Sequence, residues 1–165
     1  MSSISSCSRA ALVACLIVAC ARVGIAVERM ALPAFTLMRG DATSVASQSL
    51  VQTGGWVIVY VAPQCKPCQA ILRSIDETGN PSLVRRVVVV VAGATAESLR
   101  GESARYPNLA GATWLGDAAN AIPQAIAGAA APTILGLRGQ MIEWSLAGVL
   151  MDATDLKSVL AKWTS

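Results

Sequence analysis

Apolar residues occur along the chain in short runs separated by glycine, proline and charged residues, and two of these runs predict the centre of the fold. Val87–Val91 is five valines in a row, and Trp56–Ala62 is a β-branched and aromatic run without a charged side chain. Uninterrupted apolar runs of this length favour strands that are covered on both faces, in a sheet with helices on both sides. The pattern therefore predicts an α/β fold.

Further apolar segments predict shorter strands. Leu32–Leu37 is followed by a glycine turn and predicts a first strand, and Ala112–Leu115 predicts a short strand later in the chain. Near the end, Pro132–Leu137 and Met141–Leu146 flank a turn at Arg138-Gly139-Gln140, which indicates a hairpin. With no linker between these elements, we expect one compact domain over residues 31–165.

Helical periodicity marks the segments that should cover the sheet. A helix is predicted over Cys65–Ile75, where apolar residues recur at i, i+3, i+4 and i+7. Thr95–Tyr106 predicts a surface helix that Thr95 caps, and Ala118–Ala127 predicts an alanine-rich helix with a proline inside it. The closing helix is expected to begin at an Asp152 cap and to extend to Trp163.

The first 26 residues have the layout of a secretory signal peptide. Ala10–Ala21 is an unbroken apolar run that follows a mostly polar start with one basic residue, Arg9. The run is shorter than the roughly 20 residues of a membrane span, because Arg22 interrupts it. We expect cleavage after Ala21 or Ala26, with an uncleaved membrane anchor as the alternative.

Lipidation is a third alternative for residues 1–26, beside cleavage and an uncleaved anchor. Ile17-Val18-Ala19-Cys20 resembles the lipobox of bacterial lipoproteins, in which the cysteine is acylated and becomes the new N-terminus. A cleaved, a lipidated and an anchored chain all export residues 31–165. The expected location is the bacterial periplasm, with the domain either soluble or attached to the membrane by its N-terminus.

The amino-acid composition excludes several classes of function. The 165 residues are 54% apolar and 14% charged, which excludes a disordered protein. The net charge of +3 comes from scattered basic residues and aromatic residues are 4%, so we expect no nucleic-acid partner. The chain contains no histidine, which excludes Ser-His and Cys-His catalysis and imidazole ligation. We therefore expect no metal and no cofactor.

Two cysteines remain after the leader. Cys7, Cys15 and Cys20 lie in the first 26 residues, whereas Cys65 and Cys68 lie at the start of the first predicted helix. In an oxidising compartment an isolated cysteine pair is expected to form a disulfide.

A cysteine pair at the start of a helix suits thiol-disulfide exchange. The sulfur of Cys65 would face the unpaired N–H groups and the positive end of the helix dipole, which favours the thiolate. Cys65 would then be the attacking sulfur, and Cys68, one turn further on, would resolve the mixed disulfide. Pro67 suits the first helical turn, since its missing N–H would have no helical partner. Lys66 adds a positive charge that favours the Cys65 thiolate.

A zinc site, a haem attachment site and a structural bridge are the alternatives to thiol-disulfide exchange for Cys65 and Cys68. A structural zinc site requires about four ligands, and the chain lacks histidine and a third cysteine after the leader. Covalent haem attachment requires a histidine after the second cysteine, where Gln69 stands. A purely structural bridge remains open, although so short a loop restricts the unfolded chain little.

These residues resemble the thioredoxin superfamily, most closely its exported TlpA/ResA-like thiol-disulfide oxidoreductases. The shared features are the strand Trp56–Ala62 leading into Cys65-Lys66-Pro67-Cys68, the segment Pro33–Leu37, and Ala131-Pro132-Thr133 before a hairpin and a terminal helix. The resemblance covers about residues 31–165. It implies a thioredoxin-like fold, in which helices flank a central mixed sheet.

The resemblance also implies a mode of action. The peptide bond before Pro132 would be cis, and the backbone at Ala131 would pair with the substrate chain beside the disulfide. The substrates would be cysteine pairs of other exported proteins, and the role would be reductive, with electrons supplied by a membrane donor.

Three positions depart from the family pattern. Val59 stands where thioredoxin has a buried aspartate, Ile71 stands where ResA-like members keep a buried acid, and Gln64 replaces the usual tryptophan before Cys65. No side chain is then available as a base for Cys68, which favours a slow or partner-specific exchanger. The alternative is a redox-inert binding module of the same fold in which Cys65–Cys68 is a static bridge.

Overall fold

The protein forms an eight-stranded mixed sheet with helices on both faces, as seen in a computed structural model that describes residues 29–148 and 153–165. The strands are β1 (Met30–Ala31), β2 (Thr36–Met38), β3 (Ser44–Ala46), β4 (Gly55–Val61), β5 (Val87–Ala92), β6 (Thr113–Asp117), β7 (Thr133–Arg138) and β8 (Met141–Ala147). The helices are α1 (Lys66–Asp76), α2 (Pro81–Val84), α3 (Ala96–Ser103), α4 (Ala121–Ala125) and α5 (Ala153–Thr164), with 3-10 turns at Ser47–Leu50 and Pro107–Leu109.

The strand order is β1-β8-β7-β4-β5-β6-β2-β3. Strands β4, β5 and β6 are parallel, and the remaining pairings are antiparallel. All residues of β4 are buried, as are Val87–Val91 of β5, which confirms the two strands predicted to be covered on both faces. The predicted α/β class, with a mixed sheet flanked by helices, is confirmed.

Alternate residues of the central strands supply two separate cores. Val57, Val59 and Val61 face the layer that contains Cys68 and the buried residues of α5. Ile58 and Tyr60 face the opposite layer, which contains buried residues of α4 and the segment before β2. Because successive side chains of a strand point to opposite faces, one apolar run serves both cores.

Most of the predicted helices and the hairpin are confirmed. Helix α1 begins one residue after its N-cap, Cys65, and buries the predicted apolar face. Helix α3 is capped by Thr95 in a capping box with Ser98, and β7 pairs with β8 as the predicted hairpin. Helix α5 follows the expected range, and the predicted Asp152 cap lies outside the described residues.

The predicted helix over Ala118–Ala127 is wrong in length. Only α4 forms, because Asn120 adopts a left-handed conformation with φ of 52° and the side chain of Asp117 accepts the N–H groups of Ala121 and Ile122. A helix therefore cannot begin before residue 121.

The first predicted strand is also displaced. Over Leu32–Leu37 the chain becomes a strand only at Thr36. Pro33 cannot donate to a ladder. Instead, the hydroxyl of Ser47 accepts the N–H of Phe35 and donates to the carbonyl of Pro33.

The predicted signal peptide or anchor, residues 1–26, lies outside the described residues. Within residues 29–148 and 153–165, no helix is long and apolar enough to cross a membrane.

Candidate redox site

Cys65 and Cys68 form a disulfide at the beginning of α1. Strand β4 ends at Val61, and three residues then bring the chain to Cys65, the N-cap of α1. The Cα atoms of the two cysteines are 5.2 Å apart. Pro67 lies in the first turn of the helix, where its lack of an N–H leaves no hydrogen bond unmade.

The two sulfurs differ in exposure. Cys65 is half-buried, whereas Cys68 is 1% exposed and packs in the core beneath α1. A reagent in solution can therefore reach the sulfur of Cys65 far more readily than that of Cys68.

Both sulfurs accept backbone N–H groups. The N–H of Cys68 donates to Cys65 Sγ at 3.2 Å, and the N–H of Ala62 donates to Cys68 Sγ at 3.5 Å. N–H donors at a sulfur stabilise the negative charge that a thiolate carries after reduction. The arrangement can support thiolates at both positions without a charged side chain.

The surroundings of Cys68 are apolar. Val59 and Ile71 are buried in the same cluster as Cys68. In the part of the chain that the structure describes, Asp117 is the only buried acidic residue, and it lies at the end of β6. The absence of a carboxylate base, expected from the sequence, thus holds for the described surroundings of the disulfide.

The residues that flank the cysteines are exposed. Lys66 is the first residue of α1, and its side chain, like Pro67, faces solvent. No ion pair involves Lys66 among the described residues. Its charge is therefore free to act on Cys65 or on an approaching partner.

Gln64 is a site residue whose conformation the sequence did not indicate. It is exposed and has φ of 59°, in the left-handed region that few residues other than glycine occupy. Glutamine carries no particular preference for this region, so its residue type gave no signal. The turn at Gln64 presents Cys65 at the start of the helix.

The segment before β7 lies against the same cluster as the two cysteines. The peptide bond between Ala131 and Pro132 is cis. Ala131 is half-buried and packs at the margin of both cores, one of which contains Cys68 and has Cys65 at its margin. The carbonyl of Pro132 accepts the N–H of Gly148 at 2.9 Å. Ala131 thus borders the core that holds the disulfide as well as the opposite core.

The backbone of Ala131 is available for a partner. Its N–H and C=O make no hydrogen bond to any residue within 29–148 or 153–165. Its neighbours are engaged, since the N–H of Ala130 donates to the carbonyl of Gly128 and the hydroxyl of Thr133 donates to the carbonyl of Ala130. A half-buried peptide group with no hydrogen bond to the described residues is a candidate pairing point for an extended chain.

Comparisons with known proteins identify the fold. Neither the protein-family models nor the curated proteins give a match to this chain. Among solved structures, a secreted disulfide oxidoreductase of Mycobacterium tuberculosis, homologous to E. coli DsbE, is 21% identical with a TM-score of 0.58. That alignment covers 78% of this chain and 95% of the other.

Two further structures are similar to the same extent. The exposed lipoprotein thioredoxin of Streptococcus pneumoniae is 18% identical with a TM-score of 0.55, over 79% of this chain and 99% of the other. The thio-disulfide isomerase of Thermus thermophilus is 20% identical with a TM-score of 0.55, over 79% of this chain and 93% of the other. At these identities the likeness defines the fold, which is thioredoxin-like.

Proposed function

We propose that the protein is an exported thiol-disulfide oxidoreductase that exchanges disulfides with cysteine pairs of other exported proteins, in the reductive direction. The observation that carries this proposal is the asymmetry of the pair, with Cys65 half-buried at a helix N-terminus and Cys68 buried behind it. The thioredoxin-like fold supports it, and so does the likeness to a disulfide oxidoreductase of Mycobacterium tuberculosis and a thio-disulfide isomerase of Thermus thermophilus.

The first step uses Cys65. In the dithiol form, the Cys65 thiolate attacks one sulfur of the partner's disulfide, a new S–S bond forms, and the second partner sulfur leaves as a thiolate that takes a proton from solvent. The N–H of Cys68 and the charge of Lys66 favour the attacking thiolate. Pro67 keeps the first turn of α1 in place without an unpaired donor.

The second step uses Cys68. Its thiol loses a proton, its sulfur attacks Cys65 Sγ, and the partner leaves with both of its cysteines reduced while the Cys65–Cys68 disulfide forms. Two electrons have then passed to the partner. A membrane electron donor would restore the dithiol. The N–H of Ala62 lies where it can stabilise the Cys68 thiolate during the attack.

The partner would be held beside the disulfide at Ala131. Its extended backbone would donate to and accept from the peptide groups of Ala131, in the manner of an added strand. Ala131 packs at the margin of the core that contains Cys68.

Export is part of the proposal. The leader over residues 1–26, with Cys20 as a lipid site in one of its alternatives, supports a periplasmic domain that is soluble or attached at its N-terminus. Two of the similar structures are those of a secreted protein and an exposed lipoprotein, which agrees with an exported location.

The reduction potential of the pair tests the proposal. Serine at Cys7, Cys15 and Cys20 leaves Cys65 and Cys68 as the only thiols, so equilibration with glutathione or dithiothreitol buffers reports this pair alone. We expect a value of roughly −180 to −270 mV, where exchange catalysts lie. A value below about −300 mV, typical of structural disulfides, would indicate a static bridge and a binding module instead.

Activity gives the second part of this test. In the same background, the chain should reduce insulin disulfides, and Cys65→Ser should abolish that reduction because no attacking sulfur remains. Full activity in the Cys65→Ser variant would exclude the assigned chemistry.

A further inference from the structure

A buried hydroxyl joins β7 to the loop that precedes it. Thr133, the first residue of β7, is 1% exposed and pairs with Tyr60 of β4 on one side and with Ala147 of β8 on the other. Its hydroxyl donates a hydrogen bond to the backbone carbonyl of Ala130, three residues earlier. Because two strands hold Thr133 in the sheet, its side chain ties the carbonyl of Ala130 to the sheet.

The peptide group that Thr133 binds is the one that carries the N–H of Ala131. The carbonyl of Ala130 and the N–H of Ala131 belong to one planar trans peptide unit, in which the C=O and N–H bonds point in opposite directions. Since the carbonyl is turned towards Thr133, the N–H is turned away from it. The hydroxyl of Thr133 therefore sets the direction in which Ala131 can donate a hydrogen bond.

The backbone on either side of this peptide unit has separate hydrogen bonds. The N–H of Ala130 donates to the carbonyl of Gly128, and the N–H of Gly148 donates to the carbonyl of Pro132, both at 2.9 Å. Within residues 29–148 and 153–165, the hydroxyl of Thr133 is the one donor to the carbonyl of Ala130. Loss of that hydroxyl would leave the flanking bonds in place and remove the restraint on this peptide plane alone.

We infer that Thr133 is a positioning residue, whose hydroxyl aims the N–H of Ala131 at the backbone of an extended polypeptide substrate and so favours polypeptide disulfides over small ones. This inference rests on the proposed function. A hydrogen bond weakens steeply when its donor points away from the acceptor, so a peptide plane that turns loses its pairing with the substrate chain. A small disulfide without a peptide group makes no such pairing and needs only access to Cys65.

A comparison of two substrates measures this preference. The dithiol form of the chain, with serine at Cys7, Cys15 and Cys20, is mixed in single turnovers with insulin or with the disulfide of mercaptoethanol, which has no peptide group. Thr133→Val keeps the branched shape of the side chain and removes the hydroxyl. We expect its second-order rate constant for insulin to fall about threefold to tenfold, the effect of one lost hydrogen bond. The rate constant for the small disulfide should stay within about twofold, because the attacking sulfur is unchanged.

Serine and alanine at position 133 separate the hydroxyl from the packing of the side chain. Thr133→Ser and Thr133→Ala both lose the methyl group, but only Thr133→Ala loses the hydroxyl. The rate constant for insulin should stay within about twofold of the parent value in Thr133→Ser and should fall in Thr133→Ala as it does in Thr133→Val. This pair decides the question should Thr133→Val fail to fold.

A matched control makes the same change far from the disulfide. Thr113 is the first residue of β6, and β6 runs parallel to β5 and β4, so Thr113 lies at the end of the sheet away from Cys65. Thr113→Val should leave both rate constants unchanged.

Three outcomes would overturn the inference. An unchanged rate constant for insulin in a folded Thr133→Val chain would overturn it alone. Equal losses with both disulfides would do so as well, since that pattern means that the whole site has loosened. A parent chain that does not react with insulin would overturn the proposed function and this inference with it.

Discussion

Cys68 lies among apolar side chains, and its sulfur accepts the N–H of Ala62. The resemblance places acidic residues at the positions of Val59 and Ile71, and both of these side chains are buried beside Cys68. In the proposed mechanism, the proton of Cys68 therefore leaves without help from a side-chain base. The resolving step should be the slow step of the exchange.

A base supplied at position 71 should speed this step. Ile71 lies three residues after Cys68 on the buried face of α1, so Ile71→Glu places a carboxylate one turn from the sulfur. We expect resolution of the mixed disulfide to become about tenfold faster or more, since general bases contribute about 10²- to 10⁴-fold. Stopped-flow measurement of a single turnover gives this rate.

The amide variant is the control for that prediction. Ile71→Gln has nearly the same shape as Ile71→Glu and no base. Both variants should lose about 1–3 kcal/mol of unfolding free energy, because each buries a polar group in an apolar site. Equal resolution rates in the two variants would contradict a role for the carboxylate.

At the scale of elements, Gly136 permits the close pairing of β7 with β8. Gly136 pairs with Trp144 next to a bulge, and a Cβ atom at position 136 would lie 2.0 Å from the indole. The indole in turn packs edge-on against Trp163 of α5, with centroids 5.5 Å apart. The hairpin and the last helix are therefore joined through a space that only glycine leaves open.

Gly136→Ala should destabilise the protein by about 1–3 kcal/mol, the range for overpacking in a well-packed core. Urea unfolding followed by tryptophan fluorescence measures the change. The same substitution at Gly101, an exposed helical position with open space around it, should instead stabilise the protein by up to about 1 kcal/mol. Trp144→Leu should restore much of the loss in a double variant, and additive losses would argue against the steric explanation.

The elements that the sequence predicted are those with a strong pattern of their own. The valine run of β5 and the apolar face of α1 each specify an element without help from the rest of the chain. The strands β1 and β3 have two and three residues, too few for any periodicity, and form because neighbouring strands offer an edge. The short α4 depends on the Asp117 side chain, a contact between elements that a local pattern does not contain.

The features of the candidate site also differ in whether the sequence could predict them. Cys65 and Cys68 could be found from their spacing and from the helix that follows them. The left-handed turn at Gln64 could not, and neither could the peptide groups of Ala131, which make no hydrogen bond within the described residues. Both are properties of the backbone rather than of residue type.

At the scale of the whole molecule, β1 lies at one edge of the sheet, paired with β8, and the leader precedes it in the chain. We expect the exported chain to begin at Arg22 or Val27 and to fractionate with soluble periplasmic proteins. Intact-mass spectrometry of the protein recovered from a bacterial host gives the first residue. A chain that begins at an acylated Cys20 would select the lipoprotein alternative, and an intact Met1 with membrane fractionation would select the uncleaved anchor.

The unequal exposure of the two sulfurs affects how long a partner stays covalently bound, as well as which sulfur the partner can reach. In the proposed exchange, a partner joined to Cys65 is released in reduced form only when Cys68 attacks, so the time to productive release is set inside the protein. Without a side-chain base beside Cys68, that duration is long. A partner that is held covalently for longer has more opportunity to exchange sulfurs among its own cysteines before it is released in reduced form.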